Sequence, residues 1–209
     1  MAKLQHRVAA WLAAILLTLS LPAFAVQRYA IQVDTTALSG SRAGYLDFQF
    51  NPGLVPAPAA TAIVSDITGV TWLTDSPTVD GDVDDNLPGI LTFGNSTILN
   101  AYLTPVSFGD LFGFSVTLEG VIGSGAATAF SLALLDSFYN SLLTIDPEGR
   151  VLTLNRYPDG VIAIATYDRD ATGAPSVVSV TAIPEPPLAL LLGAGLGLLG
   201  MVVRRRLVA

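Results

Sequence analysis

An all-β fold, a single antiparallel β-sandwich of jelly-roll kind, is what this sequence predicts, and three observations carry the prediction. Apolar residues recur at every second position in segment after segment, which is the period of a strand with one buried face. Short proline- and glycine-containing turn signals separate these segments. Helical periodicity is thin outside the two ends of the chain, where apolar runs have a different purpose.

Taken from the N-terminus, Lys3 and Arg7 precede an apolar stretch over residues 8–21, and Ala23-Phe24-Ala25 supplies the small-x-small pattern that a signal peptidase reads. Residues 1–25 are therefore expected to be a secretory signal peptide, with Ala23 and Ala25 as the cleavage-site residues. The mature chain then starts near Val26. Its first strand is read in "RYAIQVD", where Tyr29, Ile31 and Val33 alternate with Ala30, Gln32 and Asp34. The second follows in "GYLDFQF", with Leu46, Phe48 and Phe50 on one face and Asp47 and Gln49 on the other.

Strands are read next over 62–73, 90–93 and 98–103, then in "LFGFSVTLEG" at 111–120, where Phe112, Phe114, Val116 and Leu118 share a face. Further strands are expected over 128–135, 142–145, 151–155, 161–167 and 177–182. The signals "NPG" at 51–53, "DPEG" at 146–149 and "YPDG" at 157–160 are expected to join consecutive strands as hairpins, because proline presets φ and glycine accepts φ > 0. The stretch "ALLDSFYNSLL" at 133–143 is read as strand then loop rather than helix. About ten short strands so spaced make one domain, residues 26–182, for which a sandwich is preferred over a closed barrel.

The C-terminal segment, 183–209, has three parts: Pro184-Glu185-Pro186, an apolar run over 188–203, and Arg204-Arg205-Arg206. As a helix the sixteen-residue run would be about 24 Å long, short of a bilayer core of about 30 Å. The three arginines can reach to the headgroups and recover part of the difference. They also orient the span, since flanking arginines stay cytoplasmic and leave the domain outside. Gly193, Gly195, Gly197 and Gly200 would weaken a helix in water but are commoner in membrane helices.

These three parts in this order, behind a signal peptide, resemble the PEP-CTERM sorting signal of bacterial exported proteins. The resemblance implies an exosortase-type processing protease as partner, cutting near Pro184, Glu185 and Pro186 and removing the helix. Delivery to the cell surface or to an extracellular polysaccharide matrix is implied as well, much as a GPI signal discards its hydrophobic tail. "YAIQVDTTAL", "GYLDFQFNPG" and "GDVDDNLPG" are similar to segments of uncharacterised PEP-CTERM proteins, a likeness that implies organisation but no activity.

Composition excludes several function classes. Between residues 26 and 182 there are five arginines, no lysine and sixteen acidic residues, a formal charge of −11, so nucleic-acid phosphates would be repelled. The chain has no cysteine, and its single histidine, His6, lies in the signal peptide. Ser-His-Asp, Cys-His and ordinary zinc sites are thereby absent from the mature domain, as is Schiff-base chemistry on lysine.

The densest polar cluster is "DSPTVDGDVDDN", in which Asp80, Asp82, Asp84 and Asp85 could converge oxygen ligands on Ca²⁺. An EF-hand register from Asp80 would need glycine at Asp85 and glutamate at Leu91, so a loose calcium site or a solvated acidic loop are the two readings. Glu119, Asp136 and Glu148 are the carboxylates a glycoside hydrolase would use as acid and base. Trp72, Tyr102, Tyr139, Tyr157 and Tyr167 could stack on sugar rings or belong to the core. Asn95-Ser96-Thr97 is read as a surface turn. The expectation is a non-catalytic surface or matrix protein with a structural or adhesive role and no cofactor; a carbohydrate-binding module, calcium-assisted or not, is the alternative and a glycoside hydrolase the third.

Overall fold

The computed structural model describes residues 27–38, 43–168 and 176–184. The expected signal peptide with Ala23 and Ala25 lies outside the described residues, as do Glu185, Pro186, the expected span and Arg204, Arg205 and Arg206. Among the described residues no helix is long and apolar enough to cross a membrane.

The described chain is all-β, one large antiparallel sheet with a single 3-10 turn at Thr36–Leu38. Eleven strands compose it: β1 (Gln27–Asp34), β2 (Ala43–Pro52), β3 (Ala60–Trp72), β4 (Thr78–Asp80), β5 (Val83–Asn86), β6 (Ile90–Gly94), β7 (Ala101–Gly120), β8 (Thr128–Asp136), β9 (Arg150–Arg156), β10 (Ile162–Thr166) and β11 (Val178–Ile183). The main order is β10-β9-β8-β2-β7-β3-β6-β5, with β1 pairing both β7 and β11, and β4 pairing β7.

The alternation seen in the sequence is the alternation of burial. On β2, Leu46, Phe48 and Phe50 are buried while Tyr45, Asp47, Gln49 and Asn51 face outward. On β8, Phe130, Leu132 and Leu134 do the same, and the β2–β8 register sets Phe48 opposite Leu132 and Phe50 opposite Phe130. Burying one such side chain is worth about 2 kcal/mol, so a one-residue slip of β2 would move three of them into water.

Strand β7 is the hub. Its first half pairs with β2, as in Leu46 opposite Thr104, and its second half pairs with β1 instead, as in Ile31 opposite Phe114. The change of partner falls at Gly109 and Asp110, whose carbonyls accept hydrogen bonds from Thr35 Oγ1 (2.7 Å) and Thr35 N (3.0 Å). On the other edge β3 follows β7 through a register shift between Ser65 and Val70. Gly69, at φ +76°, lies so close to the Leu111 carbonyl that a Cβ would overlap it, so the irregularity needs glycine there. Rings from the two halves then meet: Phe48 of β2 sits edge-on to Phe114 of β7 at 5.3 Å, and Phe130 of β8 lies 6.2 Å from Phe114.

One end of the fold gathers loops from both halves of the sheet. Gly53 N donates to Ala127 O, Ala126 N to Pro56 O, and Gly123 N to Pro158 O. Arg156, buried at the end of β9, donates through Nη2 to Gly120 O (2.6 Å) and Val121 O (3.3 Å). Gln27 Nε2 donates to Gly160 O (2.9 Å), and Arg28 is opposite Ile183 in the β1–β11 ladder. Both ends of the described chain, Gln27 and Pro184, therefore leave at this same pole.

Three expectations need correction. Residues 101–103 of the segment expected at 98–103 and the whole of 111–120 belong to one strand, β7, because the turn between them is absorbed by Thr35 and by the β3 irregularity, while residues 98–100 lie before it. Residues 142–145 are not a strand; Leu142 and Leu143 pack against the core from a loop, with Leu143 at φ +57°. The "NPG" turn makes no hairpin, since β2 pairs with β7 and β8 and never with β3, and "DPEG", a turn closed by Gly149 N donating to Asp146 O at 2.9 Å, joins a loop to β9 rather than two strands. "YPDG" does join β9 to β10, closed by Gly160 N donating to Tyr157 O at 2.9 Å.

Candidate binding face

The outer face of β2, β8 and β9 is built from the positions that alternate with the core. In the registers of these strands Asp47 is opposite Ala133, Gln49 opposite Ser131 and Asn51 opposite Ala129, while β9 adds Thr153 beside Ser131 and Arg150 beside Ala133. Small side chains from β8 form a floor, and longer polar ones from β2 and β9 stand on either side. The result is a shallow groove of about 290 Å³ lined by Asp47, Gln49, Asn51, Ser131, Glu148 and Arg150, among others.

A ladder of side-chain hydrogen bonds organises one wall. Asn51 Nδ2 donates to Gln49 Oε1 (2.9 Å), and Gln49 Nε2 donates to Asp47 Oδ2 (2.7 Å). Asn51 Oδ1 accepts from the Asn100 backbone N–H at 2.6 Å, which anchors the ladder to the core. Gln49 and Asn51 each spend one amide hydrogen in the ladder and have no partner for the second among the described residues. Desolvation holds the Asp47 carboxyl above its ordinary pKa, and the Gln49 bond only partly offsets it.

The opposite wall is ionic. Arg150 Nε donates to Asp146 Oδ2 at 2.6 Å, and its Nη1 pairs with Glu148 Oε2 at 2.9 Å. Its guanidinium lies 5.4 Å from the centre of the Tyr167 ring, a cation–π contact. The Arg150 hydrogen bond is the main cause that lowers the Asp146 pKa. Asp47 and Glu148 on the lining against the single Arg150, itself paired with the nearly buried Asp146, leave the groove acidic.

Of the carboxylates proposed for hydrolysis, only Glu148 lies here. Glu119 lines a different concavity with Asp82, Asn95 and Ser96. Asp136 caps the turn after β8, accepting from the Phe138 and Asn140 backbone N–H groups and from Asn140 Nδ2.

The four aspartates of the acidic segment are distributed over β4, β5 and the turn between them. Asp82 Oδ2 accepts from Ser96 Oγ (2.6 Å), Asp84 Oδ2 from Asn86 Nδ2 (3.2 Å), and Asp85 from Leu87 N (2.9 Å) and Tyr102 OH (3.0 Å). Asp80 stands opposite Ala101 in the β4–β7 ladder. Among the described residues no group of three or more His, Cys, Asp or Glu side chains is placed to hold a metal ion.

The aromatic candidates divide. Tyr102 is core, its pKa raised by burial and by the bond to Asp85, and Trp72 packs against the core. Tyr139 is exposed and stacks on Tyr45 at 4.7 Å beside Phe138, which is 81% exposed. Tyr157 is at the loop-rich pole, and Tyr167 supports Arg150. Asn95 is no simple surface turn residue: its Oδ1 accepts from Ala60 N (2.9 Å), and its Nδ2 donates to Pro58 O and Thr128 Oγ1, both at 2.8 Å.

Sequence reasoning missed the Asp47-Gln49-Asn51 wall, although its signal was visible. Three polar residues in a row on the outer side of an otherwise apolar, central strand need partners, and here they partner one another. No family model, no curated protein and no solved structure matches this chain.

Proposed function

We propose that this chain is an exported, non-catalytic β-sandwich protein with an adhesive role, whose outer β2–β8–β9 face binds a polysaccharide of neutral sugars. The C-terminal Pro-Glu-Pro, apolar run and arginine cluster would sort it, through an exosortase-type protease, to the cell surface or the extracellular matrix. The sandwich reading rests on the exchange of partners along β7 and on the ring contacts between Phe48, Phe130 and Phe114.

The observation that carries the binding role is the amide–carboxylate ladder along one wall of the groove. Sugar hydroxyls both donate and accept, so a row of fixed acceptors and spare amide donors at strand spacing matches a chain of hydroxyl pairs. A floor of Ala129, Ser131 and Ala133 lets the backbone of the sheet be approached, and fixing the side chains beforehand lowers the ordering cost of binding. The acidic groove, on a domain of charge −11, disfavours polyanions such as polyuronates. Non-catalytic is the reading because the carboxylates near the groove are held by Gln49 and by Arg150 rather than facing each other across an open site.

Affinity electrophoresis of the mature chain in gels containing a neutral glucan or a polyuronate tests this. Retardation by the neutral polymer is expected, reduced at least tenfold in a Gln49→Ala/Asn51→Ala variant. Equal mobility with and without every neutral polymer tried would overturn the proposal. Hydrolysis of the polymer, lost on Glu148→Gln, would overturn the non-catalytic reading.

A further inference from the structure

We infer that the loop-rich pole of the domain is a lipid-contacting surface, which rests on the bilayer as long as the C-terminal span is retained. This rests on the membrane reading of residues 188–203 proposed above. Strand β11 ends at Ile183, paired with Arg28, and Pro184 leaves the sheet at that pole. Only four residue steps separate Pro184 from Leu188, the first residue of the apolar run. At about 3.5 Å per residue the connection spans roughly 14 Å at most, and the headgroup layer itself takes up about half of that. The pole is therefore held within about 7 Å of the headgroup surface, close enough for its projecting side chains to reach it.

What the pole presents fits that position. Leu54 and Val55 are 75% and 71% exposed, and Ile122 and Val161 are more than half exposed. The loops carrying them are tied together: Gly53 to Ala127, Ala126 to Pro56, Gly123 to Pro158, and Tyr157 N to Val161 O. Ile122 approaches Gly160, whose carbonyl holds Gln27. Tyr157, 44% exposed with one apolar and one polar end, suits a bilayer interface. Scattered exposed apolar residues are ordinary, but a cluster on loops around the membrane exit is not. Asp82, Glu119 and Asp159 lie near the same pole, so the contact is apolar rather than electrostatic and favours zwitterionic over anionic lipid.

The chain has no cysteine, so single cysteines can report position cleanly. The mature chain with its tail is reconstituted in phosphatidylcholine vesicles and labelled with a fluorophore at Leu54→Cys, Ile122→Cys, Phe138→Cys or Ala194→Cys. Nitroxide-bearing lipids then quench according to depth. Headgroup nitroxide is expected to quench the labels at 54 and 122 at least threefold more than the label at 138, while acyl-chain nitroxide quenches the label at 194. Quenching at 194 with equal, low quenching at 54, 122 and 138 overturns the pole contact alone. Absent quenching at 194 overturns the span and the contact with it. Near-ultraviolet circular dichroism matching the unsubstituted chain shows that each labelled variant is folded.

Discussion

Asn100 shows how much one buried polar residue can organise. Fully buried, it donates from Nδ2 to Phe50 O and Thr97 O, accepts at Oδ1 from Asp82 N and Thr97 Oγ1, and donates its backbone N–H to Asn51. Truncation would strand several of these groups in a dry environment, so Asn100→Ala is expected to cost about 3 kcal/mol in urea unfolding. Asp47 gives a pH-dependent counterpart. Its carboxylate is disfavoured in the folded state, so its charge destabilises the protein above the raised folded pKa, and this cost disappears as pH falls below the unfolded value of about 3.9. Asp47→Asn should therefore be the more stable protein at pH 7, with an advantage that shrinks as pH falls through the raised pKa. Equal unfolding midpoints across pH 4–7 would contradict this. Neither role was legible in the sequence: an asparagine before a strand and an aspartate on its polar side look alike whether solvated or bonded to distant partners.

At the scale of elements, the strands that the sequence announces are those with an apolar stripe. β1, β2, β8 and β9 stand where the alternation placed them, because their buried faces decide their register. β4 and β5 were not legible, since "TVD" and "VDDN" have almost no apolar face. They exist because the edges of β7 and β6 offer backbone partners, and because Gly81, at φ +77° and against the Leu99 carbonyl, permits the turn between them. Gly81→Val should melt this edge and lower the midpoint by several degrees while leaving the central strands intact. The acidic residues of that segment are spread over strands and turn rather than converging. Millimolar Ca²⁺ is accordingly expected to leave the thermal midpoint unchanged, whereas a rise that chelator reverses would restore the calcium site. Length misled where β7 is concerned: a strand of twenty residues looks like two in sequence because Gly109-Asp110 resembles a turn. The loop at 142–145 misled in the opposite sense, its Leu142 and Leu143 serving the core without a ladder.

At the scale of the molecule, the two halves of the sheet meet through Phe48, Phe112, Phe114 and Phe130. Phe114→Ala is expected to cost about 4 kcal/mol in urea unfolding, with a single transition if the halves share one core; two separate transitions would show that they do not. The signals proposed for the two terminal segments are linear patterns, legible one residue after another. A binding face is assembled from β2, β8 and β9, distant in sequence, and becomes visible only when their register is known. The central claim is that this face, with Gln49 and Asn51 as its donors, binds neutral polysaccharide. The side-chain amide resonances of Gln49 and Asn51 in a ¹⁵N correlation spectrum test it most directly. On titration with a neutral glucan oligosaccharide, the Gln49 and Asn51 amide pairs should shift together and saturably, with the Asn86 and Asn140 pairs unmoved. Shifts confined to the turn around Phe138 and Tyr139, or none at saturating oligosaccharide, would contradict the claim.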